Sequence, residues 1–169
     1  MNPLEKFRDI KCFIFDVDGV LTNSELLVLE DGKLLRKMST RDGYALRAAV
    51  QAGYKVAIIT GGKSQGVVQR LKNLGIEDVY HSIQNKLETF HEFTEHYEID
   101  ADKILYMGDD VPDYEVMRRV GLPACPSDAA REILDISHYI STIPGGSGCV
   151  RDVIEKVMRL HKKWPTTNK

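Results

Sequence analysis

Short apolar runs alternate with stretches of helical periodicity along this chain. Four runs have the length and branched apolar composition of buried strands. They lie at residues 12–16, 55–60, 103–109 and 122–126. Helical spacing of apolar residues appears at residues 43–51, 64–73, 86–97, 113–120 and 149–162. This alternation predicts an α/β fold in which helices cover both faces of a mostly parallel central sheet.

Residues 25–38 depart from the alternation. Two apolar stretches flank the sequence EDGK at residues 30–33, and an Asp-Gly pair is a strong β-hairpin signal. Residues 26–29 are all apolar, so both faces of the hairpin carry apolar side chains, and an isolated two-stranded ribbon is marginal in water. We therefore expect a protruding hairpin covered by another subunit. The alternative is a hairpin that folds back on the core of its own chain.

Length and composition restrict the possible functions. The 169 residues suit one domain, residues 1–169, with the hairpin as an insertion at about 25–38. A net charge of -2 argues against a nucleic-acid binder, and no apolar run is long enough to span a membrane, so the expected partner is a small molecule. Three cysteines without CxxC spacing suggest unpaired thiols in a reducing cytoplasm. The polar tail after Trp164 is expected to fray.

Polar side chains follow three of the predicted strands at the point where each strand ends. The first strand runs into Asp16 and Asp18, the second into Thr60, and the third into Asp109 and Asp110. Because ligands bind at the carboxyl ends of parallel strands, we expect these groups to meet at one edge of the sheet. Two carboxylates in close proximity require a shared proton or a cation.

This set of residues suits phosphoryl transfer. Asp16 and Asp109 supply hard oxygen ligands for Mg²⁺, and Asp16 can attack phosphorus to form an aspartyl phosphate. Asp18 then serves as general acid toward the leaving group and as general base toward water. The groups that we assign to the phosphoryl oxygens are Lys86, Thr60 and the backbone N–H of Gly61.

Four motifs in this order resemble those of the haloacid dehalogenase superfamily of phosphohydrolases. They are FDVDGVLT, IITG, NKLETF and GDDVPD. The resemblance implies a Rossmann-like three-layer sandwich, an aspartate nucleophile and a second aspartate as acid and base, here Asp16 and Asp18. It also implies Mg²⁺ bound by Asp16, by the backbone carbonyl of Asp18 and by Asp109, with Asp110 or Asp113 as outer support.

More narrowly, the chain resembles the small capless members that hydrolyse ulosonate phosphates such as 3-deoxy-D-manno-octulosonate 8-phosphate. STRDGYALRAA at residues 39–49, VAIITGGKS and the late GGSGCVRD carry this resemblance. It implies a homotetramer in which the hairpin packs at the subunit interface. It also implies a group of residues near the sugar acid, some reaching in from an adjacent subunit: Ser39, Thr40, Arg41, Asp42, Gly43, Arg47 and Arg70. Gly61 and Gly62 of the second motif are expected to bind the phosphate and the substrate.

The sequence does not decide which sugar acid phosphate is the substrate. Members acting on the eight-carbon acid often carry a basic residue directly after the TG of the second motif, and members acting on nine-carbon ulosonate 9-phosphates (2-keto-3-deoxynononate or N-acylneuraminate) often carry glutamate. This chain has Gly62 there. Absence of the acid favours the eight-carbon substrate, and the nine-carbon acids are the alternative.

Two other classes of protein compete with a phosphatase. A signalling receiver domain also holds phosphate on an aspartate at the end of a parallel strand. Asp18 argues against it, because an acid or base two residues beyond the nucleophile promotes turnover. An inactive oligomeric scaffold is the third possibility, and the intact set Asp16, Asp18, Lys86 and Asp109 argues against it.

Overall fold

Parallel strands form the central sheet of the computed structural model, which describes residues 2–166. Within these residues the strands are β1 (Cys12–Phe15), β2 (Leu27–Val28), β3 (Leu34–Leu35), β4 (Lys55–Ile59), β5 (Asp78–Tyr80), β6 (Ile104–Met107), β7 (Leu122–Cys125) and β8 (Tyr139–Ile140). The sheet order is β5-β4-β1-β6-β7-β8, and every pairing in it is parallel. The order reverses between β1 and β6, where sheets of this type bind ligands.

Helices cover both faces of the sheet. Within the described residues they are α1 (Pro3–Lys6), α2 (Thr40–Gln51), α3 (Gln65–Asn73), α4 (Lys86–Tyr97), α5 (Tyr114–Met117), α6 (Arg131–Ile136) and α7 (Cys149–Leu160). Phe13 and Phe15 of β1 pack in the layer of α2, α3 and α7, while Ile14 packs in the layer of α4, α5 and α6. A strand buried on both faces has to be apolar throughout, as β1 is. The predicted α/β fold with a parallel central sheet is confirmed.

The sequence pattern locates the inner elements better than the outer ones. The four predicted strands match β1, β4, β6 and β7, and each predicted helix overlaps a helix of the structure. Helix α5 is shorter than predicted, and α2 begins three residues earlier. The pattern missed β5, β8, α1 and α6, because two or three residues at a partly exposed sheet edge, or fewer than two helical turns, carry too little periodicity.

The hairpin protrudes from the rest of the chain. β2 and β3 pair antiparallel, and Gly32 in the turn has a φ of +86°. Leu27 and Val28 are 62% and 64% exposed, so the hairpin does not fold back on its own core.

Two further expectations concern membrane-spanning helices and the C-terminal tail. A bilayer-spanning helix needs about 20 apolar residues. None of the helices within residues 2–166 has that length and composition. The predicted fraying of the tail falls partly on residues 167–169, which lie outside the described residues.

Candidate active site

The candidate site lies where the order of strands reverses, at the carboxyl ends of β1 and β6. Asp16 directly follows β1, and its backbone N–H donates to the carbonyl oxygen of Met107 at 3.1 Å. Asp109 lies two residues beyond Met107. The parallel ladder therefore brings these two acids to one edge of the sheet, as the sequence predicts.

A buried lysine connects this edge with the helix layer. Lys86 is the first residue of α4, and the side chain of Asn85 caps that helix by accepting from the N–H of Glu88. Nζ of Lys86 lies 3.0 Å from Oδ1 of Asp16 and 2.7 Å from Oδ1 of Asp113. Burial lowers the pKa of Lys86, but the two carboxylates outweigh it and raise the pKa above its usual value. The ammonium group is thus held in its charged form.

Asp113 organises the loop after β6. It is fully buried, and its Oδ2 accepts from the backbone N–H of Asp109 at 3.0 Å. Its Oδ1 accepts from the hydroxyl of Tyr106 at 2.7 Å, a contact that the sequence analysis did not predict. Gly108 is required here because a Cβ at that position would collide with the Asp113 side chain. By contrast, the carboxylate of Asp110 accepts from the N–H of Val111 at an exposed turn.

The acids at this edge fit a divalent cation. One carboxylate oxygen each from Asp16, Asp109 and Asp113 lie within 4.8 Å of one another. Oδ1 of Asp109 is buried and has no hydrogen-bond partner. Burial and the charge of Asp113 raise the pKa of Asp16. Burial and the charge of Asp16 raise the pKa of Asp109. Carboxylate oxygens that repel one another, one of them without a hydrogen-bond donor, suit Mg²⁺.

The carboxylate cluster contains the two predicted side-chain ligands, Asp16 and Asp109, together with Asp113, which the sequence predicts as outer support. The third predicted ligand is the backbone carbonyl of Asp18, and the side chain of Asp18 turns to Arg36. Nε of Arg36 donates to Oδ1 of Asp18 at 2.7 Å, and Nη2 donates to Oδ2 at 3.1 Å. Sequence reasoning missed Arg36, because no local signal connects the end of a hairpin with a strand end 18 residues earlier.

The second-motif loop forms the opposite side of the cleft. Thr60 follows β4, is buried, and accepts from the N–H of Gly62 through Oγ1 at 3.1 Å. The cleft has a volume of about 530 Å³. Its lining includes the predicted residues Asp16, Asp18, Thr60, Gly61, Gly62, Lys86, Asp109, Asp110 and Asp113. The structure thus brings the predicted nucleophile Asp16, the predicted acid Asp18 and the cationic Lys86 together in one cleft.

The remaining predicted residues lie outside this cleft. Ser39 caps α2 by accepting from the N–H groups of Arg41 and Asp42, and Thr40 and Arg41 are exposed beside it. Asp42 is buried and accepts from the N–H of Arg151 at 2.9 Å, so it faces α7.

The other three residues predicted for the sugar also lie along α2 and α3. Arg47 donates to the carbonyl oxygen of Asn73 at 2.9 Å, and the Arg70 guanidinium lies against Gly43. In this subunit alone, the residues predicted for the sugar therefore do not line the cleft.

Comparison with known proteins places this geometry in a family. The model of the family described as "Haloacid dehalogenase-like hydrolase" matches residues 36–125. The chain is 36% identical to the 3-deoxy-D-manno-octulosonate 8-phosphate phosphatase KdsC of Escherichia coli K12 over 157 residues. That match covers 93% of this chain and 84% of the relative.

Solved structures agree closely with this one. The 3-deoxy-D-manno-octulosonate 8-phosphate phosphatase of Yersinia pestis superposes with a TM-score of 0.93 at 32% identity, covering 96% of this chain and 88% of that one. The same enzyme of Moraxella catarrhalis, solved in complex with magnesium ion, phosphate ion and KDO, gives 0.89 at 32% identity, covering 94% and 91%.

Proposed function

This chain belongs to the haloacid dehalogenase-like hydrolases, and on that premise we propose that it is a Mg²⁺-dependent phosphatase of 3-deoxy-D-manno-octulosonate 8-phosphate. The observation that carries the proposal is the meeting of Asp16, Lys86 and Asp109 at the switch point of the sheet, in a fold shared with a relative that binds magnesium, phosphate and KDO.

The first chemical step is transfer of the phosphoryl group to Asp16. A carboxylate oxygen of Asp16 attacks phosphorus, the bond between phosphorus and the ester oxygen breaks, and that oxygen takes the electron pair together with a proton from Asp18. Lys86 and Thr60, with the N–H of Gly61, stabilise the charge on the phosphoryl oxygens. Asp16, Asp109 and the backbone carbonyl of Asp18 would hold Mg²⁺, which would supply further positive charge for the transfer.

The second step regenerates the enzyme. Asp18, now ionised, takes a proton from a water molecule whose oxygen attacks phosphorus. The bond between phosphorus and the Asp16 oxygen breaks, and its electron pair returns to the carboxylate as inorganic phosphate forms. Asp18 regains its proton, so the cycle is balanced. Lys86 keeps Asp16 in one orientation through both steps by its 3.0 Å contact.

We further infer that the enzyme is a homotetramer whose hairpins pack together. The exposed apolar side chains of β2 and β3 support this assembly. In it, some of the residues expected near the sugar acid reach in from a neighbouring subunit. The expected set is Ser39, Thr40, Arg41, Asp42, Gly43, Arg47 and Arg70. A planar arginine is suited to the ketoacid carboxylate.

Two predictions about the chain as a whole belong to the same proposal. We infer a single phosphatase domain over residues 1–169, supported by two apolar clusters on the two faces of one sheet. We also infer a cytoplasmic location, supported by three buried cysteines, all unpaired in the structure: Cys12, Cys125 and Cys149.

A steady-state comparison of substrates tests the proposed activity. With Mg²⁺ present, we expect kcat/KM for octulosonate 8-phosphate to exceed that for nine-carbon ulosonate 9-phosphates. A preference for a nine-carbon substrate would refute the proposed substrate but not the proposed phosphatase mechanism. A stable phosphoryl-protein without release of inorganic phosphate would instead indicate a receiver-like domain.

A further inference from the structure

Arg36 joins the exposed hairpin to the active site. It directly follows β3, whose residues Leu34 and Leu35 are 39% and 47% exposed. The Arg36 side chain is nevertheless only 4% exposed, since it turns inward to Asp18, which lines the cleft. There it donates from Nε and Nη2 to the two oxygens of Asp18. Two parallel hydrogen bonds of this kind fix the plane of a carboxylate as well as its position.

Folding stability does not account for this arginine. Nη1 of Arg36 is buried and has no hydrogen-bond partner, and an unpaired buried donor destabilises the folded state. The Asp18 side chain is 37% exposed, so water can solvate it without help from Arg36. An apolar side chain of similar length would fill the same space without leaving a donor unpaired. The arrangement therefore has to be explained by what the guanidinium does to Asp18.

The guanidinium places Asp18 against the loop that we assign to phosphate binding. Gly62 carries no side chain, and the space that a Cβ would take lies 3.1 Å from both Nη2 of Arg36 and Oδ2 of Asp18. The same space lies 3.4 Å from Oγ1 of Thr60. Arg36 and Asp18 together thus fill the position above Gly62, and a larger residue there would displace them.

We propose that Arg36 is the positioning residue for the general acid and base of this enzyme. The proposal rests on the proposed function, because it takes Asp18 as the group that protonates the leaving oxygen. Arg36 acts through Asp18 and does not itself contact the phosphoryl group. Without the guanidinium, a partly exposed aspartate samples several rotamers, and proton transfer loses the geometry on which its rate depends.

The leaving group of the substrate separates this role from a structural one. Departure of an alkoxide needs a proton from Asp18, whereas p-nitrophenolate leaves readily without one. We expect Arg36→Met to lower kcat/KM for octulosonate 8-phosphate by roughly 10- to 100-fold and for p-nitrophenyl phosphate by less than about 3-fold. The ratio kcat/KM reports phosphoryl transfer, so later hydrolysis of the phosphoenzyme does not affect the comparison.

Matched variants complete the test. Arg36→Lys keeps the charge but not the paired hydrogen bonds, and we expect it to recover part of the lost rate. Lys11→Met removes an exposed cation that precedes β1, at the edge of the sheet opposite the cleft, and should match wild type on both esters. In an Asp18→Asn background, Arg36→Met should cause no further loss. The urea midpoint of Arg36→Met should equal or exceed that of wild type, because an unpaired buried donor is removed.

Equal losses on the two esters, or none on either, would overturn the role of Arg36. Should Arg36→Met unfold, the same comparison with Arg36→Lys decides, since that variant keeps the charge. A wild-type enzyme that hydrolyses p-nitrophenyl phosphate but not octulosonate 8-phosphate refutes only the proposed substrate, and glycerol 3-phosphate then serves as the alkyl ester. A wild-type enzyme that hydrolyses none of these esters refutes the proposed function and this inference together.

Discussion

Asp16 is surrounded by groups that act on its charge in opposite directions. Burial and the neighbouring Asp113 raise its pKa, while Lys86 and the backbone N–H of Val17 lower it. Lys86 contacts Asp16 and Asp113 at once, so removal of one carboxylate leaves the ammonium group with a partner. A buried charge without a partner is strongly destabilising. Lys86 would still have Asp113 as its partner after the loss of the Asp16 carboxylate. The site can therefore lose its nucleophile and keep its fold.

The first prediction follows from this arrangement. We expect Asp16→Asn to lower kcat for phosphate release by roughly 10⁴-fold or more, because an amide cannot form the acyl phosphate. Circular dichroism and light scattering should show the wild-type fold and assembly. Activity near that of wild type would refute Asp16 as nucleophile.

The second prediction concerns Mg²⁺ and the acids at residues 16, 109 and 113. We expect Mg²⁺ at about 100 times its Kd to raise the Tm by roughly 5–10 °C, because it neutralises carboxylates that repel one another. Asp109→Asn should abolish this shift and raise the Tm of the metal-free protein, since Asp109 is buried beside Asp16. Asp102→Asn, at an exposed position, is the control and should keep the shift. A full Mg²⁺ response in Asp109→Asn would exclude Asp109 as a ligand.

At the scale of elements, a carboxylate of α2 holds the start of α7. Gly148 precedes α7 and supplies no side-chain cap, whereas Oδ1 of Asp42 accepts from the N–H of Arg151. Oδ2 of Asp42 is buried without a partner. Burial raises the pKa of Asp42 to about 6, and the hydrogen bond from the N–H of Arg151 opposes this only in part. The folded state therefore binds a proton at Asp42 more tightly than the unfolded state does.

The third prediction gives the sign of the resulting pH dependence. The pKa of Asp42 is 3.8 in the unfolded state and about 6 in the folded state. Between these two pH values, the free energy of unfolding falls as pH rises. The decrease is at most about 3 kcal/mol. Asp42→Asn keeps an acceptor for Arg151 and should remove the share of Asp42, so that the slope measured by urea unfolding at several pH values becomes shallower. Asp31→Asn on the exposed hairpin is the control. An unchanged slope in Asp42→Asn would show that its carboxylate is not responsible.

At the scale of the whole molecule, the hairpin is the main apolar surface left uncovered by this subunit. Leu26, Leu27, Val28, Leu34 and Leu35 are all at least 39% exposed. Burial of one such side chain in an interface is worth roughly 2 kcal/mol. A patch of this composition on a protruding element is typical of a surface that meets another protein.

The fourth prediction tests the assembly. We expect the double substitution Leu27→Lys with Val28→Lys to dissociate the oligomer, because each would bury a charge at the interface. Light scattering should show a smaller species, and the Tm shift with Mg²⁺ should persist, since the carboxylate cluster belongs to one subunit. Leu4→Lys on α1 is the matched control, because Leu4 is also exposed. Unchanged mass in the double variant would refute the hairpin as the interface.

The sequence by itself determined the centre of the molecule. Asp16, Thr60 and Asp109 lie within two residues of the ends of buried strands, so an apolar run and the fact that parallel strands end together were enough to bring them to one edge. Lys86 was placed by its motif, which follows the first two motifs in the expected order. These are local signals, and they retain their meaning whatever the rest of the chain does.

Only the tertiary structure decided the contacts between elements distant in sequence. Arg36 meets Asp18 because the hairpin returns to the cleft, and Asp42 meets Arg151, 109 residues later, because α2 packs on α7. The edge strands β5 and β8 likewise depend on their neighbours for pairing. Such contacts depend on the direction in which a side chain leaves its element and on what packs opposite. Neither is encoded in the pattern of residues nearby, so packing of the whole chain decides them.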